Sequence, residues 1–424
     1  NACTSVLSII PGTVGPGMAT TAGSGPNRSG GAVIHVTTLA DSGPGSLREA
    51  LQTNGPRIVV FDVSGYIMLQ GPILVSEPYL TIAGQTSPYP GISLRGTGLI
   101  IVTHDVLIQH IRIRVGDDPN GPNPRTRDAL AIFDYKSEND VYNIVIDHVS
   151  MSWAIDENVD TASSHDISVT NCIISEALWH SIHPKGPHSK GYLVGPGARD
   201  ILVSGNLFAH NEQRIMRVQG DSSTLFVNNI VYNWHGSGGT GAAGVYSGTE
   251  GTMDASIVGN VYVRGLDTRP GSQSIPIYIA SSVLSDSRFY VDDNEAAEKS
   301  SDPWSVVRND ASSSIKVGTP PNWPASLTAK KGNLVENWVL DHAGARRADG
   351  EAVDLRIISD VRKGTGRIID SQEEVGSWPP LANNVRGTGG IPALSIPSNE
   401  IQASGYTKIE EWLHHLARQV EVPK

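Results

Sequence analysis

The chain has 424 residues, of which 18% are charged, a formal net charge of −11, 45 glycines, 26 prolines and two cysteines. That balance argues against a disordered chain and against a disulfide scaffold. The negative sign argues against a nucleic-acid partner, which needs a basic surface, but not against an acidic sugar polymer if positive charge is gathered in one cleft. No run of 18 or more apolar residues is present, so nothing reads as a membrane-spanning helix.

Residues 1–57 begin with a Gly/Pro/Ser/Thr-rich stretch that carries no secretory signal, and Asn1-Ala2-Cys3 looks like a trimmed or mature end. If Asn1-Ala2 is foreign, Cys3 stands where a bacterial lipoprotein carries its lipid. The run GSLREAL that follows spaces Leu47, Ala50 and Leu51 as one face of a short helix, suited to capping the open end of a stack.

Residues 58–295 hold a recurring strand pattern: VLIQHIRI, NIVIDHVSMS, DISVTNCIIS, DILVSGNLFA, TLFVNNIVYN and ASIVGNVYV. Aligned on His110, His148, Cys172, Asn206, Asn229 and Asn260, the spacings are 38, 24, 34, 23 and 31, a base period near 23 with insertions. A unit of that size cannot bury its own apolar face, so units must stack. The polar residue between two alternating runs marks a corner, and identical side chains at a corner can form a hydrogen-bonded ladder. The expected fold is all-β, a single-stranded parallel β-helix. An antiparallel sandwich or propeller also yields many short strands, but hairpin dipeptides are scarce and a blade of about 40 residues does not fit the period. Cys172, at a repeat position facing inward, reads better as a buried free thiol than as a partner for Cys3.

Residues 296–424 complete the same domain. Up to residue 392 the repeat is lost, and Trp304, Trp323, Trp338 and Trp378 suggest long loops with short helical pieces wrapping the stack. In GYTKIEEWLHHLARQ, Ile409, Trp412, Leu413 and Leu416 form one face of an amphipathic helix expected to pack on the solenoid.

The chemistry is concentrated between Arg127 and Arg217. Asp128, Asp156 and Asp160 offer carboxylates on different rungs, which a parallel stack can bring together around a hard cation such as calcium. Asp156 and Asp160 also suit solvated loop or turn positions. Lys185 and Lys190, then Arg214 and Arg217, are cations on an otherwise acidic chain, and two arginines three apart suit bidentate recognition of carboxylates. Pairing of one arginine with Asp156 or Glu157 is the structural alternative. His180, His183 and His188 invite a zinc reading, against which Pro184 and Gly186 break the segment and no helical i, i+4 pair supports ligation. Loops 116–127, 176–190 and 234–251 are expected to line the cleft. There Trp179, Trp234 and His235 have rings able to stack on sugars, or simply to pack the loops.

Taken together, DSGPGSLREAL, PRIVVFDVSGYI, LTIAGQTSPYPGISLRG, VLIQHIRIRVGDD, IDHVSMSWAIDE, HSKG, QRIMRV and VNNIVYN resemble the pectate lyases of polysaccharide lyase family one. The resemblance is strong from Gly31 to Asn233 and extends to the C-terminal end through AVDLRIISDVRKGTGRIIDSQEEVGSWP and GYTKIEEWL. It implies a secreted right-handed parallel β-helix, with the cell surface or periplasm as alternative locations, cleaving de-esterified polygalacturonate by calcium-assisted β-elimination; a monomer is expected. It further implies Asp128, Asp156 and Asp160 as calcium ligands, Lys190 as holder of the substrate carboxylate and Arg214 as base. Arg217, His188, Trp179 and Trp234 are expected on the substrate.

Departures from the family pattern are visible. Met216 stands where many relatives have proline, Gln219 where they have a further arginine, and Thr126 where a further acid is common. RGTGGIPALSIPSN replaces an acidic calcium loop. A lyase of the same fold acting on another uronate polymer, and a non-catalytic glycan-binding β-helix, are the alternatives. The second leaves Lys190, Arg214 and three aspartates without a purpose.

Overall fold

Each rung needs the next to complete its backbone hydrogen bonds, and the strands pair accordingly. The computed structural model describes residues 7–136, 138–235, 242–269 and 274–422. Within them, strands Tyr142–Asp147, Ser150–Ser152 and Glu157–Ala162 of one rung run parallel to His165–Thr170, Ile173–Ser175 and Lys190–Val194 of the next. Repetition of this unit gives three parallel sheets of ten, nine and eight strands among the described residues, a parallel β-helix. Pairing begins with Ala32–Val36 against Arg57–Phe61 and ends with Val307–Asn309 beside Ile277–Ile279. The stack therefore reaches beyond residues 58–295 at both ends.

The inward face is an apolar ladder. Val59, Ile82, Ile108, Ile146, Val169, Val203, Phe226 and Ile257 follow one another in register, all buried. Helix α1, Leu47–Gln52, caps it with Leu47, Ala50 and Leu51, as their spacing predicts. The tail forms α4, Lys408–Glu421, after a Thr407 capping box with Glu410, and buries Ile409 and Leu413 against Ile58, Val60 and Ala83. Between α1 and α4 lie α2, Gly332–His342, and α3, Ala352–Lys363, full helices of 11 and 12 residues rather than short pieces. They cover Ile173, Leu207 and Ile230 on the outer face of the eight-stranded sheet.

Helix Ala352–Lys363 is fastened by charge. Arg114, with a fully buried side chain, donates to Glu351 Oε2 at 2.9 Å, Asp354 Oδ1 at 2.7 Å and Ser152 Oγ at 2.8 Å. Burial works against its charge, and Asp354 with Glu351 outweigh it and hold the guanidinium above its ordinary range.

The corner asparagines form a ladder one member longer than expected. The Nδ2 atoms of Asn206, Asn229 and Asn260 each donate at 3.0 Å to the Oδ1 of the next, ending at Asn294. Each Oδ1 also accepts the backbone N–H of the rung before, at 2.8–3.0 Å, starting from Cys172. Register corrects the alignment: Asp147 opposes Thr170, so Val149, not His148, stands level with Cys172, and Ile111 level with Val149. His110 and His148 occupy the preceding corner residue, with φ of 59° and 51°. The 24-residue interval thereby becomes 23, the same as Asn206 to Asn229. Cys172 is buried and free; Cys3 lies outside the described residues.

Replacing Asn229 by Ala strands buried donors and acceptors on two rungs and should lower stability by about 3 kcal/mol, read from the urea midpoint. Arg114→Met leaves two buried carboxylates without their cation and should cost about 3–5 kcal/mol in the same measurement. A change below about 1 kcal/mol in either would mean that these networks are not what holds the rungs and the outer helix together.

Candidate active site

The nine-stranded sheet presents its charged residues at the mouths of four successive strands. Asp128 lies two residues before Leu130–Phe133, Asp156 one before Glu157–Ala162, Lys190 opens Lys190–Val194, and Arg214 lies two before Met216–Val218. Leu130 opposes Val159 and Val159 opposes Tyr192, so Asp128, Glu157 and Lys190 stand in one row. Glu157, absent from the expected ligands, thus occupies the central place. Its register was the missing signal, because the apolar alternation of Val159 and Thr161 says which face they take but not which residue on the next rung lies opposite.

Arg214 is placed by a bulge. Lys190 opposes Gln213 and Leu193 opposes Arg217, three steps on one strand against four on the other. The extra residue falls at Arg214, whose φ is 51°, the kind of local irregularity that re-aims a side chain. Arg214 makes an ion pair with Glu157, the pairing that the sequence offered as an alternative to an anion site. Met216 points into the core and Arg217 outward, where its guanidinium makes no hydrogen bond or ion pair among the described residues.

The acids crowd one another. Oxygens of Asp128, Asp156 and Glu157 lie within 4.8 Å of each other, and Asp128 Oδ1 accepts the Glu157 N–H at 3.0 Å. Burial, then the nearby Asp156, pushes the Asp128 carboxyl up to about 8. Burial and a proton shared with Asp156 push Glu157 up to about 9, while Asp156 stays below its usual range. Asp160 lies farther along the same strand, raised to about 6 by burial against the pull of Arg214, with a buried Oδ1 that has no hydrogen-bond partner among the described residues. The three converging carboxyl groups of Asp128, Asp156 and Glu157 are a donor set for a hard divalent cation, with Asp160 on the same strand outside that cluster. Beside them Lys190 is buried, which lowers its ammonium to about 8 against the pull of Glu212.

Loop side chains divide differently from expectation. Arg127, fully buried, donates to the carbonyls of Pro122, Gly116 and Asp118 and so fixes the loop beside Asp128. Trp179 is half-buried, its ring 4.2 Å from that of His180 and 5.3 Å from that of His235, at the edge of the cleft. Trp234 is not available to a sugar: it is 1% exposed and lies in the core, edge-on to Tyr262 at 6.4 Å. Its level in the other rungs is held by Ala154, Ala177 and Asn211, all fully buried, because the chain turns inward after this corner. His188 faces Asp156 rather than open solvent, with Nε2 3.3 Å from Asp156 Oδ1. His183 approaches the other oxygen at 3.4 Å, whereas His180 turns away to Asp370. Residues 236–241 of the third cleft loop lie outside the described residues.

No model of a known protein family matches the chain. Curated relatives span nearly all of it. A protein of Neosartorya fischeri named "Probable pectate lyase C" is 30% identical over 414 residues, covering 91% of this chain and 89% of that one. Its namesake in Aspergillus oryzae is 29% identical over 436 residues, 97% of this chain and 95% of the relative. Among solved structures, a pectate lyase bound to hexasaccharide superposes with a TM-score of 0.55 at 15% identity, over 81% of this chain and 99% of that one. Jun a 1, the major allergen from cedar pollen, gives 0.52 at 17% identity, over 77% and 91%. At such identities these two speak for the fold alone.

Proposed function

The chain belongs to the pectate lyase family, and on that premise we propose how its own residues cleave the polymer. It is a polysaccharide lyase acting on pectate. The observation that carries the residue assignment is the order of charge along the stack: Asp128, Asp156 and Glu157 on the lower rungs, Lys190, Arg214 and Arg217 on the upper ones. A polyuronate laid across this boundary meets an acid-lined cation site on one side and fixed positive charge on the other.

Asp128, Asp156, Glu157 and Asp160 would hold calcium. When bound, the ion draws charge from a substrate carboxylate and makes the adjacent C–H more acidic. Lys190 and Arg217 bind that carboxylate from the other side and stabilise the negative charge that develops on it as the proton leaves. Arg214, set between them by its bulge, takes the proton from the carbon next to the carboxylate. The electrons of that C–H bond form a double bond to the neighbouring carbon, the bond from that carbon to the glycosidic oxygen breaks, and the departing oxygen takes a proton from water. A guanidinium is a poor base in water, with a pKa above about 12. Trp179 at the cleft edge offers a face to a sugar ring. Action on a large polymer supports an extracellular enzyme. No helix among the described residues is long and apolar enough to cross a membrane.

Mixing the protein with polygalacturonate and calcium should produce the ultraviolet absorbance of an unsaturated uronide, abolished by chelator. No rise with polygalacturonate or any other uronate polymer would overturn the reading. Arg214→Ala should lower kcat by about 10²–10⁴-fold, the usual loss for an essential acid or base group. A loss under about tenfold would remove the residue from that role.

The Lys190 ammonium is present below about pH 8 and is lost as the pH rises through that value. The pH profile of kcat/KM, which reports the free enzyme, should therefore show substrate capture weakening on the alkaline side. Lys190→Arg, which cannot lose its charge there, should flatten that limb. An unchanged limb would assign it to another group.

A further inference from the structure

The carboxylate cluster has a nitrogen side. His183 and His188 come from the loop that leads into Lys190, five residues apart, with their ring centroids 3.9 Å from each other. They approach opposite oxygens of Asp156, His188 Nε2 to Oδ1 at 3.3 Å and His183 Nε2 to Oδ2 at 3.4 Å. One nitrogen from each ring and one Asp156 oxygen all lie within 4.8 Å. The proline and glycine that break the segment are therefore no obstacle, because the loop folds back and Asp156 supplies the third donor from another strand.

We propose that Asp156, His183 and His188 form a binding site for a borderline divalent cation of the zinc class, sharing Asp156 with the acid cluster. Distance is the first argument. A charge-assisted N–H···O⁻ bond is about 2.7–2.9 Å long, shorter than either contact. Two ligands each about 2.0–2.1 Å from a tetrahedral ion stand about 3.3 Å apart, the spacing of each histidine from its own Asp156 oxygen, so an ion here would draw on both oxygens or bring one ring slightly closer.

The second argument is the proton on His188. Its Nδ1 lies 2.8 Å from the carbonyl oxygen of Gly186, and a carbonyl only accepts, so Nδ1 carries the hydrogen. Nε2 is then the ring atom left to act as a ligand, and it is the one that faces Asp156. Anchoring of the remote ring nitrogen to a carbonyl is also how metal-bound histidines are oriented. His183 is the weaker donor: its Nδ1 accepts the Lys185 N–H at 3.2 Å, a contact given up when Nε2 binds an ion and the ring proton moves to Nδ1.

The donor set supplies the selectivity. Two imidazoles and one carboxylate suit zinc and its neighbours, whereas calcium prefers oxygen throughout. The His183 side chain is 2% exposed, but those of His188 at 12% and Asp156 at 19% leave an approach from the cleft. An ion here engages Asp156, so it competes with calcium at the acid cluster. That consequence, unlike the site itself, rests on the calcium reading above.

The test is calorimetric titration of the metal-free protein with Zn²⁺ and, separately, with Ca²⁺, alongside Co²⁺ binding followed by visible absorbance. Wild type should bind one Zn²⁺, and His188→Ala and His183→Gln should each weaken it by at least about tenfold, a modest figure for a metal site, with circular dichroism confirming the fold. Asp128→Asn should weaken Ca²⁺ while leaving Zn²⁺ within about threefold, a small change beside the loss of a ligand. Equal Zn²⁺ affinity in wild type and folded His188→Ala, or no Zn²⁺ binding by wild type, overturns the site. Histidine-dependent Zn²⁺ binding without any Ca²⁺ binding would instead keep this site and overturn the calcium assignment.

Discussion

A strand of three to six residues cannot satisfy its own backbone, and in a parallel stack every one of its peptide groups looks to the rung above or below. That single requirement fixes the separation of rungs and the side-chain rows that follow from it. The apolar row from Val59 to Ile257 and the asparagine row from Asn206 to Asn294 are two products of the same registration. The corner ladder adds side-chain bonds to backbone ones, so a slip by one residue would break both at once. It would also turn the buried face outward, since side chains alternate along each strand.

The acid and cation groups borrow this order. Residues separated by about 30 positions in sequence, such as Asp128 and Glu157, become neighbours because their strands pair at a fixed register. Where regular pairing would leave Arg214 in an ordinary strand position, one extra residue turns it toward Glu157. The scaffold supplies a repeated address, and a local departure from the repeat sets the one side chain that must be placed individually. The same scaffold brings the long loops, whose own conformations are irregular, to one side, and there His183 and His188 meet Asp156.

Much of this was legible in the residues. Period, inward alternation, the capping helix around Leu47 and the amphipathic tail around Ile409 all follow from hydrophobic spacing, which burial enforces locally. The candidate site was readable as a set of residue types on neighbouring rungs. What spacing alone left open was registration. His110 and His148 are polar residues at corners, like the asparagines, and only pairing places them one position earlier. Trp234 looks like a loop aromatic until the level it shares with Ala154 and Ala177 is known to face inward. Glu157 adjoins a predicted ligand, but adjacency in a strand ordinarily means opposite faces, and the strand here begins at that residue.

The order of residues already dictates that rungs stack, which residues face inward along most strands, and that acids, a lysine and arginines belong to successive turns. These are consequences of period and alternation, properties that one strand carries alone. The tertiary structure decided which acid stands opposite Lys190, where the bulge falls, and that two histidines in a broken segment converge on one carboxylate. Those depend on hydrogen bonds between rungs and on loop paths across them, and no single segment holds that information.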